Sequence, residues 1–210
     1  MKLFKKSAKE ITNPIDYLHE NIGKADDCYM VALQKVPNVS NAICRSFPDK
    51  NNCTLVALCN ITQYYASKTD GIISMNVEER YRSIRELAKK LGYDGEHGLS
   101  VFKNRRFANL FCKTFFKNRK IKGCCRYFIT RKRAIQTIEA NRPFLLSLAS
   151  GYYFDHTVAV FGYANYTNHR TGKTYTFLML YDSWHNTCRY LPWKNTGAFH
   201  ITCMTELVDG

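Results

Sequence analysis

Apolar positions recur along the chain with two different periods. From Cys53 to about Ser67, Leu55, Val56, Leu58, Cys59 and Tyr65 fall on apolar helical faces, and Asn51 and Asn52 supply capping chemistry just before them. A second helix has the clearest spacing: Val77, Tyr81, Ile84, Ala88 and Leu91 recur at helical intervals. Asn76 followed three residues later by Glu79 resembles a capping box, and Gly92 supplies the glycine that ends such a helix. A third helix is predicted from Ser100 to about Lys117. It turns Ala108, Phe111 and Phe115 inward and leaves Lys103, Arg105, Arg106 and Lys113 on its other faces.

After Gly123 the pattern changes. Cys124 to Ile129 reads as a strand, Thr130 can cap a short helix holding Ile135 and Ile138, and Asn141-Arg142-Pro143 turns the chain. Phe144 to Leu148, His156 to Phe161 and Thr174 to Tyr181 are rich in β-branched and aromatic residues and read as strands. Asn168 to Lys173, with Gly172, reads as the hairpin loop between the last two. Residues 1 to about 50, punctuated by Pro14, Pro37 and Pro48, read as a short helix and loops wrapped on the core. Helices first and strands afterwards predict an α+β fold, a helical lobe packed on an antiparallel sheet. The expected layout is one domain, with a wrap over about 1–45, a helical lobe over 46–120 and a sheet lobe over 121–210.

Composition narrows this reading without changing it. At 210 residues, 45% of them hydrophobic, the chain can bury a sizeable core. No apolar run approaches the roughly 20 residues of a membrane helix. Lysines near the N-terminus have no apolar block behind them, so no signal peptide is visible and a cytoplasmic location is expected. Nine cysteines, an odd number without Cys-x-x-Cys spacing, read as reduced thiols rather than a disulfide frame or a zinc ribbon; neither metal nor cofactor is expected. The net charge of +14 is concentrated: twelve Lys or Arg and no Asp or Glu lie between Lys103 and Arg133. Such a stretch attracts acidic peptides or nucleic acid, and serves equally as a solvated basic face.

Three residues carry the candidate chemistry. Cys53 falls at the predicted start of a helix, where unpaired N–H groups and the helix dipole favour a thiolate. His156 opens a strand. Asp182 ends the next strong strand, so a hairpin puts both at its open end and brings a carboxylate to the imidazole, where it fixes tautomer and orientation. His97, in a turn-rich loop with Asp94 and Glu96, reads as solvated rather than as a metal ligand, and His185 has no assigned role.

Asn52-Cys53-Thr54-Leu55-Val56-Ala57-Leu58, Asn141 to Leu148, Asp155-His156-Thr157-Val158-Ala159-Val160-Phe161-Gly162-Tyr163 and Tyr181-Asp182-Ser183-Trp184 together resemble a papain-like cysteine peptidase, in layout the bacteriocin-processing (double-glycine leader) branch, over about residues 45 to 195. The resemblance implies Cys53 as nucleophile, His156 as general base and acid, Asp182 as orienting carboxylate, and Trp184 as a shield over the His–Asp pair. It implies a peptide or protein substrate, which the basic segment would suit if acidic; nucleic acid is the lesser partner. Tyr153 and Trp184 are candidate cleft-lining residues. The chain departs from the pattern twice: Thr54 stands where many relatives have Gly, and no Gln lies about six residues before Cys53. Asn51, Asn52 and the more distant Gln34 are the candidate substitutes for that oxyanion-hole amide, whose loss typically costs about 10²–10³ in rate. A weakly active or inactive peptide-binding scaffold is therefore the second reading, and a basic nucleic-acid-binding domain the third.

Overall fold

A computed structural model describes residues 10–22, 25–66, 73–116, 121–149, 152–193 and 202–209. The elements run α1 (Pro14–Ile22), β1 (Cys28–Lys35), α2 (Cys53–Ala66), α3 (Val77–Lys89), α4 (Asn104–Phe115), β2 (Ile121–Tyr127), α5 (Arg131–Glu139), β3 (Phe144–Leu148), β4 (His156–Asn168), β5 (Thr174–Tyr181), β6 (Arg189–Pro192) and β7 (Thr202–Asp209).

Their local chemistry follows the sequence closely. The Asn76 side chain accepts from the N–H groups of Glu78 and Glu79, while Glu79 turns its own carboxylate to the Ser74 hydroxyl instead of closing the box. Thr130 caps α5 by accepting from the Arg133 N–H. Gly92 takes the left-handed conformation after α3 that glycine adopts at least cost. The predicted third helix begins as a 3₁₀ turn over Val101–Lys103 and continues as α4. Its expected end at Lys117 lies outside the described residues.

All strands pair antiparallel in one seven-stranded sheet of order β2-β7-β3-β4-β5-β6. The long strand β4 organises it. β5 takes one edge of β4; β3 and β1 share the other, β3 against His156–Val160 and β1 against Gly162–Asn168. Residues 28–35, expected as loop, are thus a strand. Their apolar side chains Tyr29, Met30, Val31 and Leu33 stay about half exposed, so β1 lacks the one-sided burial that marks a strand in sequence. The approach of β1 to β4 requires Gly162: a Cβ there would sit 2.6 Å from the Gln34 carbonyl oxygen.

Strand β7, at the chain's end, inserts between β2 and β3. The core lies between this sheet and the helices. Helix α2 packs on β3, β4 and α3, and only Cys53 and Gln63 escape full burial along it. A helix apolar on all sides belongs in the middle of a fold. Helix α4 covers β2 and β7, and α5 packs on β4 and β1. The architecture is α+β, helices on a large antiparallel sheet. No helix among the described residues is long and apolar enough to cross a membrane.

Candidate active site

The sheet and α2 meet at one end, and the candidate residues collect there. Cys53 is the first residue of α2, whose first turn leaves its N–H groups without intrahelical acceptors. His156 is the first residue of β4, set up by Asp155, which turns the chain at φ +51°. A row of buried hydroxyls fixes their register. The Thr54 hydroxyl donates to Thr157 Oγ1 at 3.0 Å, Thr157 and Ser147 lie 2.9 Å apart on paired strands, and Asn104 on α4 donates to Ser147 at 3.1 Å. Thr54, a departure from the pattern of many papain-like enzymes, thus links α2 to β4 through its hydroxyl.

The thiol and the imidazole line one cleft, and His156 acts on the acidity of Cys53. Burial alone would push the Cys53 thiol up. The hydrogen bond and charge of His156, the Thr157 N–H and the Thr54 hydroxyl more than offset it and hold the thiol below its ordinary range. Neighbouring Cys44 goes the other way: burial, then Cys53 and Asp182, push it up to about 12. His156 Nε2 lies 2.6 Å from the main-chain oxygen of Asp182. A carbonyl only accepts, so Nε2 carries the proton and Nδ1 is the nitrogen left for Cys53.

Asp182 is fully buried beside His156, but its carboxylate turns elsewhere. Oδ1 accepts from the N–H groups of Trp184 (3.0 Å) and His185 (2.9 Å), and Oδ2 faces His185 Nδ1 at 2.8 Å and the Tyr153 hydroxyl at 3.4 Å. Asp182 thus meets the imidazole through its backbone. The turn it caps is joined to the segment that leads into α2: the Cys44 N–H donates to the Ser183 carbonyl at 2.7 Å, and the Asn52 amide donates to the Cys44 carbonyl at 3.0 Å.

Trp184 stacks on His156 with ring centroids 4.1 Å apart. Tyr153 is buried behind both rings and does not line the cleft, because its ring packs on Trp184 and its hydroxyl reaches Asp182. The cleft in front of Cys53 has a volume of about 520 Å³ and is lined by Cys53, Asn51, Leu99, Leu148, His156 and Cys203, among others. His97 also borders it, on an exposed loop where its ring contacts Asp94. Among the described residues no cluster of His, Cys, Asp or Glu is arranged to hold a metal.

The three candidate oxyanion amides are placed differently. Gln34 is on β1 opposite Tyr163, seven residues along β4 from His156, roughly 20 Å at 3.3 Å per residue, and so lies outside the site. Asn52 is buried and has given its amide to Cys44. Asn51 borders the cleft, but its amide donates to the Glu96 carbonyl. The unpaired donors beside Cys53 are the main-chain N–H groups at the start of α2. Sequence reasoning also passed over Thr157, Ser147, Asn104 and His185. A visible signal existed for His185: Asp182-x-x-His185 repeats the spacing of Asp94-x-x-His97, and both pairs form the same local turn.

Among solved structures the chain is similar to one described as a "putative C39-like peptidase" from Bacillus anthracis. The TM-score is 0.50 at 11% identity, over 85% of this chain and 98% of that one. The fold is papain-like, of the C39 type. No family model matches the sequence, and no curated protein matches it. What the chain has in common with that structure is the architecture, at 11% identity.

Proposed function

We propose that the protein is a cysteine peptidase that cleaves peptide bonds through Cys53 and His156, with Asp182 orienting the imidazole. The observation that carries this reading is the placement of Cys53 at the head of α2 and His156 at the head of β4 on the wall of one cleft of about 520 Å³; the influence of His156 on the thiol, lowering it below its ordinary range, agrees with it. The thiolate attacks the substrate carbonyl, and the developing oxyanion meets the unpaired N–H groups of the α2 N-terminus. The protonated imidazole gives Nδ1–H to the departing amine. Water, deprotonated by the same nitrogen, then hydrolyses the thioester, releases the acid and restores the thiolate beside the protonated imidazole. The carbonyl of Asp182 holds the ring throughout, and Trp184 covers its face.

Within the papain-like enzymes we assign the chain to the bacteriocin-processing type, supported by the C39-like neighbour and by the four matching sequence stretches. Peptide substrates are favoured over nucleic acid, because Phe107, Phe111 and Phe116 of the basic segment are buried in the core. Part of its positive charge is also neutralised internally: Arg126 and Arg133 both face the buried Glu206, as does Arg142. Arg105 and Arg106 remain exposed on α4, and acidic peptides are the matching substrates. A second reading, a slow enzyme or a peptide-binding scaffold, is favoured by one observation: both asparagine amides near the nucleophile are engaged elsewhere.

The test is a mixture of unrelated peptides incubated with the protein and read by mass spectrometry, with Cys53→Ala alongside. Products absent from the variant support peptidase activity. Peptides retained by both proteins without cleavage identify the scaffold.

A further inference from the structure

His185 was given no role by the sequence, and the reaction does not use it. It nevertheless sits between two carboxylates. Nδ1 is 2.8 Å from Asp182 Oδ2, and Nε2 is 3.2 Å from Glu10 Oε2. Carboxylates only accept, so both contacts are hydrogen bonds only when both ring nitrogens carry a proton. Glu10 is itself anchored. Its Oε1 pairs with Arg189 at 2.5 Å, and the next residue, Ile11, accepts at its carbonyl from the Tyr190 N–H at 2.9 Å. Asp182, Glu10, Arg189, Tyr152 and Tyr153 are the titratable and charged groups gathered around this ring.

The exposed pair Asp94–His97 repeats the local turn and provides a comparison. There the imidazole is 88% exposed and touches one carboxylate. At Asp182 the carboxylate is completely buried, the imidazole is 36% exposed, and a second carboxylate arrives from the N-terminal segment. Local sequence explains the first contact. It does not explain the second.

The turn that His185 supports also presents the carbonyl 2.6 Å from His156. It contains Ser183 at φ +60°, a conformation that non-glycine residues seldom adopt unless the surroundings impose it. Those surroundings are countable: the Cys44 N–H on the Ser183 carbonyl, the Asn60 amide on its hydroxyl, and the two N–H groups and one imidazole on Asp182. Without the imidazole, Oδ2 keeps only the 3.4 Å contact to Tyr153.

We propose that His185 is a positioning residue, clamped between Asp182 and Glu10, which holds the Asp182 carbonyl against His156 and couples the N-terminal segment to the thiolate. This rests on the reading of Cys53 and His156 as the working pair. Its signature is a change in the acidity of Cys53, over 100 positions away in sequence, which a purely structural contact would leave alone.

The experiment follows iodoacetamide modification of Cys53 against pH by peptide mapping, in the full chain and in His185→Ala, His185→Asn and Glu10→Gln. His185→Ala removes both contacts and is expected to move the midpoint up by about one pH unit, a roughly tenfold slower reaction at pH 6. His185→Asn keeps a donor for Asp182 but does not reach Glu10, and Glu10→Gln removes the second carboxylate isosterically; both are expected to fall between. A His185→Ala profile superimposed on that of the unsubstituted chain, with thermal melting showing both folded, overturns the clamp. If His185→Ala does not fold, Glu10→Gln decides by the same criterion. Should the unsubstituted chain itself lack low-pH reactivity at Cys53, the working pair is wrong and the clamp falls with it. Should that reactivity be present and unmoved by every variant, the clamp alone is wrong.

Discussion

Asp182 approaches His156 with its main-chain carbonyl, 2.6 Å from Nε2, and turns its carboxylate toward His185 and two backbone N–H groups. A triad normally reserves that place for a side chain. Here the side chain shapes the turn and the backbone makes the contact.

The first consequence concerns Asp182→Asn. Where an aspartate carboxylate directly holds the catalytic imidazole, the change to asparagine costs about 10⁴ in turnover. In this chain asparagine retains the carbonyl and an oxygen for the N–H groups of Trp184 and His185. Peptide cleavage by Asp182→Asn is therefore expected to fall by less than about 100-fold, and Asp182→Ala, which loses the cap, to fall further. A 10⁴-fold loss in Asp182→Asn with unchanged melting would mean that the carboxylate reaches the imidazole during reaction.

The second concerns pH and thiol selectivity. The Cys53 thiol is held below its ordinary value, so its thiolate persists as the pH falls below the usual cysteine range near 8.5. Alkylation at pH 6–7 is expected at Cys53 well before Cys44, Cys59, Cys112 or Cys188, which burial pushes up to about 12, 11, 12 and 11. His156→Ala removes the favourable hydrogen bond and charge and leaves the burial, so its alkylation midpoint moves to higher pH. Peptide mapping after timed labelling reads both effects, and equal labelling of all accessible thiols would contradict them.

The third tests the hydroxyl row. Thr54→Val keeps shape and removes the donor to Thr157, leaving buried oxygens short of a partner. The expected loss is about 1–3 kcal/mol of stability in chemical denaturation, with slower Cys53 alkylation as α2 loosens from β4. Thr54→Ser, which restores the hydroxyl, should recover most of the reactivity.

The fourth tests the seat of α4 on the sheet. A Cβ added at Gly123 would lie 2.4 Å from Ala108 Cβ and 2.8 Å from the backbone of α4. Those are rigid neighbours, so Gly123→Ala is expected to cost about 1–3 kcal/mol or more by overpacking. Gly172→Ala is a useful contrast: open space surrounds it, and only its left-handed φ of +66° opposes the change. A melting temperature for Gly123→Ala equal to that of the unsubstituted chain would refute the close packing.

The sequence by itself determined the local elements and the chemical cast. Helical spacing from Val77 to Leu91, the Asn76 and Thr130 caps and the strands Phe144–Leu148 and Thr174–Tyr181 depend on neighbours within a few residues, and these are written in consecutive positions. Cys53 at a helix start and His156 at a strand start were legible for the same reason. Only the tertiary structure decided what each residue meets. Strand β1 has no one-sided apolar pattern, and β7 finds its place between β2 and β3 through pairing with residues far away in the chain. Nor could residue letters reveal that Asp182 would use its carbonyl, since every residue carries one and its direction is set by the turn. The identity of Thr54 looked like a departure from a pattern until Thr157 stood opposite it. Short-range order follows from the side chain and its immediate neighbours, whereas a site assembled from residues 10, 53, 156, 182 and 185 exists only once burial has drawn those distant segments together.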